Sequence, residues 1–170
     1  MLSPFLYLAQ SGKISGVSFV APAKKIGDTL MLLPKTKVAA NFLRLMPYRL
    51  IPEGSTGLKF GSEWQWWGEK MEGTLMLIQI AKKQGYKIML KPHVWKRCGS
   101  FTGHHGYETN QEWKSFEAAY SNYILTFAKL AQEEKVELFC IGTEWGKFVE
   151  QRPEYWKQLI REVKRFIPEC

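Results

Sequence analysis

The chain has 170 residues, of which 45% are hydrophobic, 14% aromatic and 24% charged, the composition of a globular protein with one core and too little sequence for two sizeable domains. No apolar run approaches the about 18 residues of a membrane-spanning helix, so no membrane span is expected. The formal charge of +8 raises a nucleic-acid or anionic-surface partner. The basic residues are scattered, however, and many (Lys82, Lys83, Lys157, Arg161, Lys164, Arg165) fall on predicted helices as solvated faces would place them; no nucleic-acid partner is expected.

The organising signal is a fourfold alternation of strand and helix. The first strand is predicted over Ile14–Ala21, followed by a short helix over Ile26–Leu33 that Pro34 stops. The second strand runs over Val38–Met46 and is closed by Pro47, which has no N–H to give a ladder. A loop rich in Gly, Ser and Trp leads to a helix near Lys70–Gln84, ending at Gly85 as a helix terminator would. The third strand, Tyr86–Leu90, is stopped by Pro92. Thr109 and Glu112 then form a capping box before a long helix. Its apolar positions Trp113, Phe116, Tyr120, Tyr123, Ile124, Phe127 and Leu130 keep helical spacing. The fourth strand is Val136–Ile141, and a last helix opens near Pro153 with Trp156, Leu159, Ile160, Val163 and Phe166 on one face.

Strands alternating with helices imply an α/β fold with a parallel sheet, either doubly wound or a barrel. Neither GxGxxG nor GxxxxGK[ST] occurs, so nothing points to a nucleotide cofactor. Residues 1–11, with the apolar stretch Leu2–Ala9, read either as the remnant of a signal peptide or as a disordered N-terminus. The first reading would make the protein secreted, periplasmic or cell-surface, and localisation stays open. Residues 12–170 form the domain. Cys98, Cys140 and Cys170 match neither a disulfide framework nor a zinc site, and Cys140, in an apolar run, reads as a small core residue.

Long loops follow the second and third strands, whereas the loops before the third and fourth are short. In barrels and open sheets alike, sites form at the C-terminal ends of strands. The strongest candidate there is Glu144, at the end of the apolar fourth strand; period-two alternation puts Leu138, Cys140, Gly142 and Glu144 on one face. A general acid needs such a carboxyl, and the competing reading is a structural ion pair. Lys91, His93 and Trp95 crowd the end of the third strand, a set suited to hydroxylated or anionic groups, against the reading of an ordinary turn. Trp64, Trp66 and Trp67 share one loop, and Trp145 flanks a strand end; such rings stack on sugar faces, or equally pack as lids. Trp113 and Trp156 read as core. His104 and His105, with His93, raise a metal site, but no carboxylate or Cys completes a ligand spacing, and no metal or other cofactor is expected.

Taken together, ISGVSFVAP (14–22), LMPY (45–48), EWQWWGE (63–69), KIMLKPHVW (87–95), ELFCIGTEW (137–145) and RPEYWKQLI (152–160) resemble glycoside hydrolase family 113, the endo-β-mannanase-like group of a retaining (β/α)8-barrel clan. The resemblance covers nearly all of residues 14–166. It implies a TIM-barrel glycosidase fold truncated to about its first four βα units, and retaining hydrolysis of β-mannan or a related polysaccharide. It gives the acid/base role to Glu144, and substrate-binding roles to Lys91, His93, Trp95, Trp66, Trp67 and Trp145.

Two features depart from that pattern. The clan's nucleophile is a second Glu ending strand seven, and no residue here matches it, so the chain alone is expected to show little or no activity. A gene fragment, a degraded copy and a deliberate half-barrel all fit, with a fragment preferred. Arg44 and Arg49 stand where relatives carry small residues. The alternative function is a non-catalytic carbohydrate-binding or half-barrel module that self-assembles as a dimer through open sheet edges.

Overall fold

The computed structural model describes residues 13–27, 36–59, 63, 65–96 and 100–168. The predicted N-terminal segment 1–11, most of the predicted helix Ile26–Leu33, and Trp64, Cys98 and Cys170 lie outside the described residues.

In chain order the elements are β1 (Gly16–Phe19), β2 (Phe42–Leu45), β3 (Tyr48–Ile51), α1 (Met71–Lys83), β4 (Lys87–Leu90), β5 (His93–Lys96), α2 (Asn110–Glu133), β6 (Leu138–Phe139), α3 (Gly146–Gln151) and α4 (Pro153–Phe166). The main sheet has the order β1-β2-β4-β6, and each of its pairings is parallel. The four predicted strands are therefore all present, each shorter than expected. Val38, read as the first residue of the second strand, instead closes a helical turn over residues 36–38, and the strand begins at Phe42.

The prolines do less than the sequence implied. Beyond Pro47 and Pro92 the chain resumes as β3 and β5, which pair in parallel with Tyr48 opposite His93. Each proline lacks a donor, but its neighbours still bond: the Lys91 N–H donates to the Leu45 carbonyl at 2.9 Å and the His93 N–H to the Pro47 carbonyl at 2.9 Å. The strands are thus extended past the main sheet, which carries Tyr48 and His93 outward together.

One face of the sheet is covered by helices. Leu43, Leu45, Ile88 and Leu90, alternate residues of β2 and β4, are fully buried against Leu77, Ile78 and Ala81 of α1 and Phe116, Ile124, Phe127 and Ala128 of α2. All seven apolar positions predicted for the long helix are buried. Each large side chain so buried contributes about 1.5–3 kcal/mol. On α4, Trp156, Leu159 and Val163 are buried as expected, while Ile160 is exposed.

Helix ends follow their local chemistry. Thr109 and Glu112 exchange the two bonds of a capping box, Glu112 N–H to Thr109 Oγ1 at 3.2 Å and Thr109 N–H to Glu112 Oε2 at 3.0 Å. At the end of α1, Gly85 takes φ +78°, and the N–H groups of Gly85 and Tyr86 donate to the carbonyls of Lys82 and Ala81. This is the turn that favours glycine at that position.

The opposite face of the sheet is open. A cleft of about 380 Å³ there is lined by residues that include Gly16, Ser18, Phe42, Arg44, Met89 and Leu138. Arg44, an unexpected residue within a barrel-type strand, turns onto this face, where its Nη2 donates to Ser18 Oγ. Arg49 is buried instead, with its guanidinium 5.0 Å from the centre of the Tyr123 ring; burial lowers its pKa to about 10.

Candidate active site

A cleft of about 270 Å³ sits at the C-terminal ends of the strands, lined by Tyr48, His93, Val94, Trp95, Ser100, Phe101, Thr102 and Glu144. Glu144 and the β5 residues His93 and Trp95, the strand-end candidates of the sequence, therefore do meet.

The route by which Glu144 arrives differs from the expected one. Strand β6 ends at Phe139, and alternation stops soon after it. Gly142 packs under the helix-side tryptophans: a Cβ there would lie 2.6 Å from Trp156 Cη2. Its small size serves that approach. Cys140 is half-buried and its thiol donates to the Gly142 carbonyl at 3.2 Å. Glu144 itself has φ +59°, in the left-handed region that a residue with a Cβ occupies at a cost of about 1–2 kcal/mol. Ala39 and Lys135 also take positive φ, at +49° and +50°, but of the three Glu144 alone lines the cleft.

Below Glu144, Trp145 is buried and its indole N–H donates to the Tyr120 hydroxyl at 2.9 Å, which donates in turn to the Ile141 carbonyl at 2.8 Å. Trp145 was expected among the substrate-binding residues; its place is the core under the cleft, where Phe116, Tyr120 and Phe148 surround it. From above, the buried Thr102 donates its hydroxyl to Glu144 Oε2 at 3.4 Å.

His93 is half-buried, its ring centre 5.0 Å from that of Tyr48. Burial first, and then the charge of Lys91, lower its pKa, only partly opposed by Glu144. The imidazole is therefore neutral near pH 7, able to donate and accept hydrogen bonds but not to act as a fixed cation. The Tyr48 phenol is pushed up by burial and by the Glu69 and Glu144 carboxylates, so it stays protonated. Lys91 is half-buried and is not among the residues lining the cleft.

Trp95 is 67% exposed and lies on the cleft wall, as a stacking residue must. Trp66 and Trp67 do not line it. Trp66 is 48% exposed, whereas Trp67 is half-buried against the core with its N–H bonded to the Ala23 carbonyl at 3.0 Å. Their segment reaches the site indirectly, through Gln65, whose Nε2 donates to the Tyr48 carbonyl at 2.8 Å.

His105, raised with His104 as a metal candidate, is buried among Tyr107, Phe116 and Trp145, and neither ring nitrogen has a hydrogen-bond partner among the described residues. Burial, with Lys96 and Lys147 adding to it, lowers its pKa to about 4. Among the described residues no group of three or more His, Cys, Asp or Glu is placed to hold a metal ion. No helix among them is long and apolar enough to cross a membrane.

Tyr48, Ser100, Phe101 and Thr102 were not singled out by sequence reasoning. Tyr48 lay within the LMPY stretch already noted, and its place beside His93 follows only once β3 is known to pair with β5. The other three belong to no recognisable motif.

The model of Glycoside Hydrolase Family 113 matches residues 30–167. Among solved structures, the chain is similar to a family 113 β-1,4-mannanase at 25% identity with a TM-score of 0.76, the match covering 89% of this chain and 52% of that one. It has the same TM-score, 0.76, against the β-mannanase AaManA from Alicyclobacillus acidocaldarius in complex with ManMIm, at 21% identity over 89% of this chain and 51% of that one. The chain thus spans about half the length of the solved mannanases it matches. No curated protein matches it.

Proposed function

The chain belongs to glycoside hydrolase family 113, and from that premise we propose that it carries the acid/base half of a retaining site for β-mannan or a related polysaccharide, with Glu144 as the acid/base. The parallel α/β fold, with this chain covering half of a (β/α)8-barrel enzyme, agrees with the reading made from sequence. The observation that carries the proposal is the position of Glu144: a strained residue just past β6, at the rim of a cleft it shares with His93, Tyr48 and Trp95.

In retaining hydrolysis the acid/base first protonates the leaving glycosidic oxygen while a second carboxylate attacks the anomeric carbon; the same residue then takes a proton from the water that releases the sugar. The two carboxyl groups must stand about 5–5.5 Å apart. Among the described residues lining the cleft, Glu144 is the one carboxylate, so the nucleophile comes from outside them. In this scheme His93 and Tyr48 bond substrate hydroxyls and Trp95 stacks on a sugar face, while the exposed Trp66, outside the cleft, meets sugars further along the chain. Lys91 acts through its charge on His93, while Trp67 and Trp145 hold the cleft in place from the core.

A second reading, closure of the half-barrel by another copy of the chain, meets an electrostatic objection. The open face carries Arg44 and Lys87, the latter with its ammonium 5.9 Å from the Phe42 ring centre, and no carboxylate lines it among the described residues. Copy against copy would oppose cation to cation, whereas a different half bearing an acidic residue would not.

The test is turnover of β-1,4-mannan by the complete protein and by its Glu144→Gln variant. Turnover that drops by about 10²–10⁴ in the variant supports the proposal; a variant as fast as the wild type removes Glu144 from the role.

A further inference from the structure

We propose that Phe101 is a second sugar-stacking residue of this site, holding the pyranose next to Glu144; the inference rests on the carbohydrate reading above. Phe101 is 53% exposed, and single exposed apolar side chains are ordinary. This one differs in three respects.

First, it lines the same cleft as Glu144 and Trp95, and among the described residues Phe101 and Trp95 are the large exposed hydrophobics of that cleft. Second, it is held. A Cβ on Gly103 would come within 2.2 Å of Phe101 Cε1 and 2.7 Å of Cζ, so the ring rests directly on glycine backbone. The His104 ring meets it edge-on, with centres 5.3 Å apart and planes at 89°. An exposed side chain left over from the core would have no such seat. Third, it adjoins Thr102, whose hydroxyl is bonded to Glu144, so the turn that positions the ring also contacts the carboxylate. The chemistry this serves is the apolar C–H face of a sugar ring: a phenyl ring offers area and no polar atom, and a fixed ring loses little entropy on binding.

The experiment is a titration of the chain with β-1,4-mannohexaose, followed by NMR, for the wild type and for Phe101→Ala, Phe101→Tyr and Gly103→Ala. Near-ultraviolet circular dichroism and thermal unfolding confirm that each variant is folded. Phe101→Ala should bind about three- to tenfold more weakly, and Phe101→Tyr within about twofold of the wild type. Gly103→Ala keeps the phenyl ring but displaces it, and should weaken binding as well. In the complete protein, Phe101→Ala should raise KM while leaving kcat within about twofold, since the contact does not depend on the reacting bond.

A wild type that binds mannohexaose and a folded Phe101→Ala that binds it equally well would overturn this inference alone. Equal losses in the Ala and Tyr variants would overturn it too, because the ring face would then not be the contact. A wild type with no affinity for the oligosaccharide would overturn the inference together with the function it rests on.

Discussion

The Thr102 hydroxyl donates to Glu144 Oε2 at 3.4 Å, joining a turn that follows β5 to a carboxylate that follows β6. These residues are 42 positions apart in sequence, and their bond is one of the features that fix the carboxylate against the cleft. At 3.4 Å the bond is long, and its contribution is correspondingly modest.

Removing it should therefore slow the proposed hydrolysis without abolishing it. Thr102→Val keeps the shape of the buried side chain and deletes the donor, and should lower kcat of the complete protein about two- to tenfold, the equivalent of one long, weak hydrogen bond. Steady-state kinetics on mannan measure this; an unchanged kcat would show that the contact does not position Glu144.

The backbone at Glu144 implies a gain in stability when the side chain is lost. With φ +59° the residue is strained, and Glu144→Gly relieves the Cβ clash, so the variant should be more stable by about 1 kcal/mol although it has lost its carboxyl. Urea unfolding reads this directly, and a destabilised variant would mean that the side chain, not the backbone, governs the site's energetics.

Beneath the site, Tyr120 accepts from the Trp145 indole and donates to the Ile141 carbonyl. Tyr120→Phe leaves both partners without that bond in a buried place and should cost about 2–4 kcal/mol. The midpoint of a denaturant titration checks it.

Acid should destabilise the protein through His105. Its folded pKa, about 4, lies below the ordinary 6.5, so between those values the unfolded chain binds the proton and the folded chain does not. Stability is then complete above pH 6.5 and is lost as pH falls toward 4. By pH 5 the loss from this group is roughly 2 kcal/mol. His105→Phe removes the titration and the two unpartnered nitrogens, so its stability should fall less between pH 7 and pH 5 than that of the wild type. Equal losses in the two proteins would exclude His105 as the source.

Much of the fold was legible. The strand and helix order, the Thr109–Glu112 box, the Gly85 terminator and the buried stripe of α2 each follow from local chemistry that a sequence displays. The continuation past Pro47 and Pro92 was not, because a proline marks a missing donor but does not reveal that the next residue bonds across it. For the site, Glu144 was found for a partly mistaken reason: alternation pointed to a strand face, whereas a left-handed residue past the strand delivers it. Trp145 looked the same in sequence whether it faced substrate or core, and its partner, Tyr120, lies 25 residues away. Phe101 and Thr102 acquire meaning only through what they touch.

The central claim, that Glu144 is the acid/base, is tested most directly by leaving-group dependence. The complete protein and its Glu144→Gln variant are compared on a manno-oligosaccharide, whose departing sugar needs a proton, and on a dinitrophenyl mannobioside, whose leaving group does not. The variant should lose about 10²–10⁴ in rate on the oligosaccharide and far less in forming the glycosyl-enzyme from the activated substrate. Equal losses on both substrates, or no loss on either, would contradict it.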